Sequence, residues 1–167
     1  MAPDFVDANR ILYSVASSFD DGGANCLALA LRGEDTVWRD SGAPLSCTAP
    51  RANDAPEISS IAPAYFETSD GRAFVVTGGG VVHIARVDPR ADDLHLPSAF
   101  PGPGWTALAR GPREEEGAHA WIEAPHLFER DATFYLFVNW GACCSGAAST
   151  YEIRVGKSDS PTGPFLD

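Results

Sequence analysis

The sequence has 167 residues, 44% hydrophobic and 21% charged, the balance of an ordinary globular chain large enough to bury a core. Its 12 Lys and Arg stand against 23 Asp and Glu, a formal charge of −11. Such a surface repels phosphate backbones and anionic lipid, so neither nucleic acid nor a membrane is expected as a partner, while a neutral polymer is indifferent to the field. No apolar run approaches the roughly 20 residues that a membrane-crossing helix needs.

Taken in chain order, Ala2-Pro3-Asp4-Phe5-Val6 leads into the apolar run Ile11-Leu12-Tyr13-Ser14-Val15, and Asn25-Cys26-Leu27-Ala28-Leu29-Ala30 follows as a further strand. Arg39 to Ser60 is rich in Pro, Gly, Asp and Ser, which predicts a loop. Ala62-Pro63-Ala64-Tyr65-Phe66 then leads through Ser69-Asp70-Gly71 into Ala73-Phe74-Val75-Val76, with Val81 to Val87 as the next strand. Pro89 to Ala120 reads as a second long loop. Ala124-Pro125-His126-Leu127-Phe128 leads through Arg130-Asp131-Ala132 into Phe134-Tyr135-Leu136-Phe137-Val138, and Thr150 to Val155 closes the series. Each copy is therefore a β-hairpin entered through a proline, which suits the first residue of a strand where no ladder donor is required. The β-branched and aromatic enrichment argues for strands, and no window carries a 3.6-residue apolar period.

The repeat recurs at about 60 residues, above the roughly 40–50 of common propeller blades, and the two long loops account for the excess. The expectation is an all-β chain forming one partial β-propeller domain over residues 1–167, with blades at about 1–60, 61–120 and 121–167. Three repeats do not close a ring of typically four or more blades, and an open arc exposes edges, so the chain is expected to be a fragment. None of Cys26, Cys47, Cys143 and Cys144 has paired CxxC spacing, so no structural metal is expected. Cys26 and Cys47 are candidates for a disulfide in an exported protein. Cys143-Cys144 reads either as two buried thiols in a turn or as a vicinal disulfide.

The ordered series Trp121-Ile122-Glu123-Ala124-Pro125, Phe134-Tyr135-Leu136-Phe137-Val138, Cys143-Cys144-Ser145-Gly146, Ser149-Thr150-Tyr151 and Val155-Gly156-Lys157-Ser158 resembles glycoside hydrolase family 43, in particular its endo-1,5-α-L-arabinanases and related arabinofuranosidases. The likeness extends through Pro161-Thr162-Gly163-Pro164-Phe165. Upstream, Ala2-Pro3-Asp4 with Tyr13 to Phe19 resembles that family's second blade, and Ile61-Ala62-Pro63 with Asp70-Gly71-Arg72 its third. The resemblance implies a five-bladed β-propeller, of which this chain covers blades two to four. It also implies an inverting hydrolase acting on arabinan or arabinofuranosyl-containing plant cell-wall polysaccharide or oligosaccharide. Secretion is an expectation from that polymeric substrate.

In inverting hydrolysis one carboxylic acid protonates the leaving oxygen while a second carboxylate, about 6.5–9.5 Å away, activates water on the opposite face. Glu123 matches the family's general acid, and its apolar neighbours Trp121, Ile122, Ala124 and Pro125 favour the protonated form by desolvation. The base belongs to an Asp-Pro motif of the first blade, outside these residues. The third carboxylate, which modulates the acid, belongs where this sequence has Ala62; Asp54 and Glu57 are the nearest upstream carboxylates. Phe19 matches an aromatic that packs on sugar, while Asp4 and His119 are further candidates to touch substrate. Met1 stands in place of a stacking tryptophan, and Gly78-Gly79-Gly80 where arabinanases carry serine and aromatic residues.

Glu114-Glu115-Glu116 reads as a solvated loop, and His83 as an outward-facing strand residue. No cofactor is expected from these residues; the resemblance allows the family's calcium, held through a histidine of the last blade outside this chain, so no metal-binding residue is assigned. The alternative to an enzyme is a catalytically impaired propeller remnant or a carbohydrate-binding module, favoured by Ala62 and the missing first blade.

Overall fold

The computed structural model describes residues 3–16, 24–48, 59–111 and 121–166. Within them the first repeat forms β1 (Asp4–Asp7), β2 (Arg10–Ala16), β3 (Asn25–Arg32), β4 (Trp38–Asp40) and β5 (Ser46–Thr48). The second contains β6 (Ala64–Glu67), β7 (Ala73–Thr77), β8 (Val81–Val87), β9 (Ala99–Phe100) and β10 (Trp105–Arg110). The third contains β11 (Ile122–Arg130), β12 (Thr133–Trp140) and β13 (Glu152–Ser158), with a single 3₁₀ turn at Gly146–Ala148. Three sheets result, ordered β1-β2-β3-β5-β9 with β4 on β3, β10-β8-β7-β6, and β11-β12-β13. The polar turns at Asp7–Arg10, Glu67–Ala73 and Arg130–Thr133 close the three antiparallel hairpins foreseen from the Ala-Pro repeat.

Four short strands lie in segments that read as loops. β4 and β5 are three residues each and β9 only two. Flanking Pro, Gly and Asp outweigh so short an apolar signal. β10 is longer, but its register slips between Ala107 and Ala109, which breaks the alternation a sequence reading relies on. β9 pairs parallel with β5, so a piece of the second repeat's long connection completes the edge of the first sheet.

Successive side chains of a strand point to opposite faces, so a strand covered on both sides reads as a continuous apolar run. β7 is buried at every position and β8 at every position but Arg86. Phe74, Val76, Val82 and Ile84 point one way, onto Leu127, Phe134, Leu136 and Val138 of the third sheet. Val75, Ala85 and Val87 point the other way, onto Leu12, Leu27 and Leu29 of the first. The middle sheet is thus packed on both faces. The far face of the third sheet is not: Phe137, Ile153 and Val155 are exposed there, Ile153 at 72%.

This sandwiching corrects the outward reading of His83. It is buried on the face toward the first sheet, with Nδ1 3.2 Å from the Val81 carbonyl oxygen and its ring edge-on to Phe100 at 5.0 Å. Burial pushes its pKa below the usual histidine range.

Side-chain ties lock neighbouring sheets together. Ser69 donates through its backbone N (2.7 Å) and its hydroxyl (2.6 Å) to the two carboxylate oxygens of Glu129. The Arg10 guanidinium donates to the carbonyls of Ala91 (2.9 Å) and Pro89 (2.6 Å). Cys26 and Cys47 stand opposite one another on β3 and β5 and form a disulfide across 21 residues. In the chain-entropy description, closing a loop of that size contributes about 3 kcal/mol. Cys143 and Cys144 form a vicinal disulfide and are exposed, so the buried-thiol alternative does not hold.

The two-faced packing predicts a sharp contrast between isoleucines. Ile84→Ala should lower unfolding free energy in urea by about 2–5 kcal/mol, whereas Ile153→Ala should change it by less than about 0.5 kcal/mol. Equal losses would contradict the placement of the core.

Candidate active site

The candidate acid sits on a break in the β11 ladder. Pro125 has no N–H to donate, and the β11–β12 register slips between Glu123 and His126. Ala124 takes a left-handed backbone angle, φ 48°, which costs a residue with a Cβ roughly 1–2 kcal/mol. Ala62, also directly before a proline, has φ 47°. The same bend therefore opens both strands. In β11 it bulges the chain, a device that re-aims a side chain out of the regular pleat.

Glu123 is half-buried opposite Asn139, and each of its carboxylate oxygens accepts one hydrogen bond. The Trp121 indole Nε1–H donates to Oε2 at 3.0 Å, and the Tyr151 hydroxyl donates to Oε1. Burial, and then the hydrogen bond and negative charge of Glu123, push the Tyr151 pKa up to about 12.

Both partners are fixed by backbone. The Trp121 carbonyl accepts from Gly141 N at 2.9 Å, and the Ile122 carbonyl accepts from Gly80 N at 2.8 Å. A Cβ on Gly79 would lie 2.7 Å from Trp121 Cζ2 and 2.9 Å from Ile61 Cδ1, so only glycine lets the indole lie against the β7–β8 turn. The segment between Gly141 and Tyr151 is pinned at its root, where Thr150 N donates to the Ala142 carbonyl (2.9 Å) and Ala142 N to Thr150 Oγ1 (3.1 Å). That root delivers Tyr151 to Glu123 from 28 residues away.

The other expected site residues fare differently. Asp4 uses one carboxylate oxygen to accept from Phe5 N and the other to accept from Tyr65 N, both at 2.9 Å, so its carboxylate ties β1 to β6. Phe19 and His119 lie outside the described residues, as do Met1, Asp54, Glu57 and Glu114-Glu115-Glu116. Ala62 N points at Ser14 Oγ, 3.4 Å away, and among the described residues no second carboxylate hydrogen-bonds Glu123.

Trp121 entered the sequence reading only as an apolar neighbour, although two residues before Glu123 it shares that residue's face of the strand. Tyr151 was part of a motif without a role, and Gly79 had no role beyond replacing bulkier residues. Among the described residues no three His, Cys, Asp or Glu side chains converge to hold a metal ion.

A groove of about 700 Å³ runs between β6 and β11, lined by Tyr65, Glu67, His126, Phe128 and Glu129. It lies farther along both strands and contains none of Trp121, Glu123 and Tyr151. The site is placed at Glu123 rather than in this groove because Glu129, the groove's own doubly held carboxylate, has both oxygens taken by Ser69 in tying two sheets together, whereas Glu123 is held by an indole and a phenol hydroxyl.

Three stacked β-sheets whose entering strands lie side by side are the architecture of the arabinanases, which are five-bladed β-propellers. The α-L-arabinanase of Cellvibrio cellulosa in complex with arabinohexaose superposes on 99% of this chain with a TM-score of 0.72 at 26% identity, over 54% of its own length. An exo-1,5-α-L-arabinanase from a bovine ruminal metagenome matches 99% of this chain with a TM-score of 0.72 at 27% identity, over 53% of its length.

In sequence, an extracellular endo-α-(1→5)-L-arabinanase of Bacillus subtilis is 29% identical over 172 residues, 99% of this chain and 48% of that protein. An extracellular exo-α-(1→5)-L-arabinofuranosidase of Cellvibrio japonicus is 37% identical over 81 residues, 46% of this chain and 23% of that protein. No family model matches the chain. The chain spans about half the length of the relatives that match it from end to end.

The packing of Trp121 on Gly79 gives a direct structural prediction. Gly79→Ala should displace the indole, and the Trp121 Nε1–H signal in a ¹H–¹⁵N spectrum should move toward that of a free indole. An unchanged signal would show that the turn does not position the ring.

Proposed function

We propose that this chain carries the general-acid half of an inverting glycoside hydrolase acting on arabinan or on arabinofuranosyl groups of plant polysaccharide, exported to meet that substrate. The observation that carries the reading is the two-donor clamp on Glu123, at the position where the chain resembles the acid of family 43. In the reaction the glycosidic C–O bond breaks and its oxygen takes the Glu123 proton. Water forms the new bond to the anomeric carbon and gives its own proton to a second carboxylate. That second carboxylate is the Asp of an Asp-Pro motif in a blade that these residues do not include.

One observation favours a second reading, that of a carbohydrate-binding remnant. Ala62 occupies the place of the modulating carboxylate, and an alanine can neither titrate nor orient an acid. The two readings separate in an assay of the chain joined to a blade that supplies the Asp-Pro carboxylate, beside Glu123→Gln in the same protein, on debranched arabinan and on an aryl arabinofuranoside. The hydrolase reading expects cleavage by the joined protein and loss of arabinan cleavage by about 10²-fold or more in the variant, the contribution of a positioned acid. No cleavage by the joined protein on either substrate leaves the binding reading.

A further inference from the structure

The hydrogen bonds on Glu123 are chemically unequal. An indole N–H can only donate, whereas a phenolic hydroxyl can donate or accept. The oxygen facing Trp121 is therefore best left unprotonated, as the stronger acceptor, when Glu123 carries a proton. A proton on Oε2 would either point at that hydrogen or leave the half-buried indole N–H only the weakly accepting hydroxyl oxygen of the acid. The oxygen facing Tyr151 has no such restriction. When Glu123 is ionised, Tyr151 donates to Oε1, and when it is protonated, the hydroxyl turns and accepts.

We propose that Tyr151 is a positioning residue for the acid: with Trp121 holding Oε2 as the acceptor, the transferable proton resides on Oε1 and Tyr151 aims it. This arrangement rests on the hydrolase reading of Glu123 and deepens it. It supplies, with two neutral side chains, the orientation that the absent carboxylate at position 62 does not. It also explains why the root at Ala142 and Thr150 is hydrogen-bonded twice, since a shift there moves the Tyr151 hydroxyl off Oε1.

Tyr151 is 37% exposed and lies outside both apolar clusters, so its replacement leaves the core intact. The test uses Tyr151→Phe in the chain joined to a blade that supplies the Asp-Pro carboxylate, and compares two leaving groups. Arabinan departs as a sugar alkoxide and needs the proton, whereas 4-nitrophenolate departs without it. Tyr151→Phe should lower kcat on arabinan about 10-fold, part of the roughly 10²–10⁴ that positioned proton transfer supplies, with KM unchanged. On 4-nitrophenyl arabinofuranoside kcat should stay within about twofold. Losses of equal size on both substrates would mark Tyr151 as merely structural and overturn the proposal alone.

A readout independent of turnover is the Trp121 indole signal. It should shift with pH as Glu123 titrates, in the chain and in Tyr151→Phe, and stand still in Glu123→Gln. A signal indifferent to Glu123→Gln would overturn the division of the two oxygens. Cleavage of neither substrate by the joined protein without substitutions would overturn the hydrolase reading, and the proton-delivery role with it.

Discussion

The structure depends on one packing constraint, that the middle sheet is apolar on both faces. β7 and β8 send alternate side chains into two separate cores, so the first and third sheets are each registered against the same pair of strands. Moving either strand by one residue would exchange the two faces and bury the wrong side chains in both cores at once. The middle sheet thereby fixes where the β7–β8 turn lies relative to β11. The site follows from that placement. The turn offers Gly79 to the face of Trp121, and Gly80 N to the Ile122 carbonyl. The Glu123 carboxyl group is therefore oriented by the neighbouring sheet as well as by its own.

Polarity follows the same logic around Glu123. Its carboxyl group is half-buried beside apolar rings, where a missing hydrogen bond is expensive, and both oxygens are occupied. Trp121 supplies a donor on the strand itself, and Tyr151 one from the following connection. The Ala-Pro bend is the price in backbone conformation, with Ala124 in the left-handed region. The same angle at Ala62 shows that the bend belongs to the repeat, while only the third copy carries a carboxylate beside it.

Much of this was legible in the sequence because the repeat is made of local signals. A proline before each hairpin, a polar turn and an aromatic-rich partner strand located β1–β3, β6–β8 and β11–β13. Glu123 stood out through its motif and its apolar neighbours. The short strands β4, β5 and β9 were hidden among Pro and Gly, and their pairing depends on residues far away in the chain. His83 misled because alternation gives two faces to a strand and says nothing about whether both are covered. Tyr151 as a partner of Glu123 was not legible for a related reason. It follows from two consecutive registers, β11 on β12 and β12 on β13, and from a connection whose length no local pattern encodes.

The orientation of the Glu123 carboxyl group depends on its contact with Tyr151. Ultraviolet titration of tyrosinate in the chain, in Glu123→Gln and in Tyr151→Phe, which identifies the signal, tests it most directly. The Tyr151 hydroxyl should titrate at about 12 in the unmodified chain. In Glu123→Gln the midpoint should fall toward the ordinary value of about 10 without reaching it, because burial is the larger cause and persists. A Tyr151 midpoint that is the same with and without the Glu123 carboxylate would contradict the account.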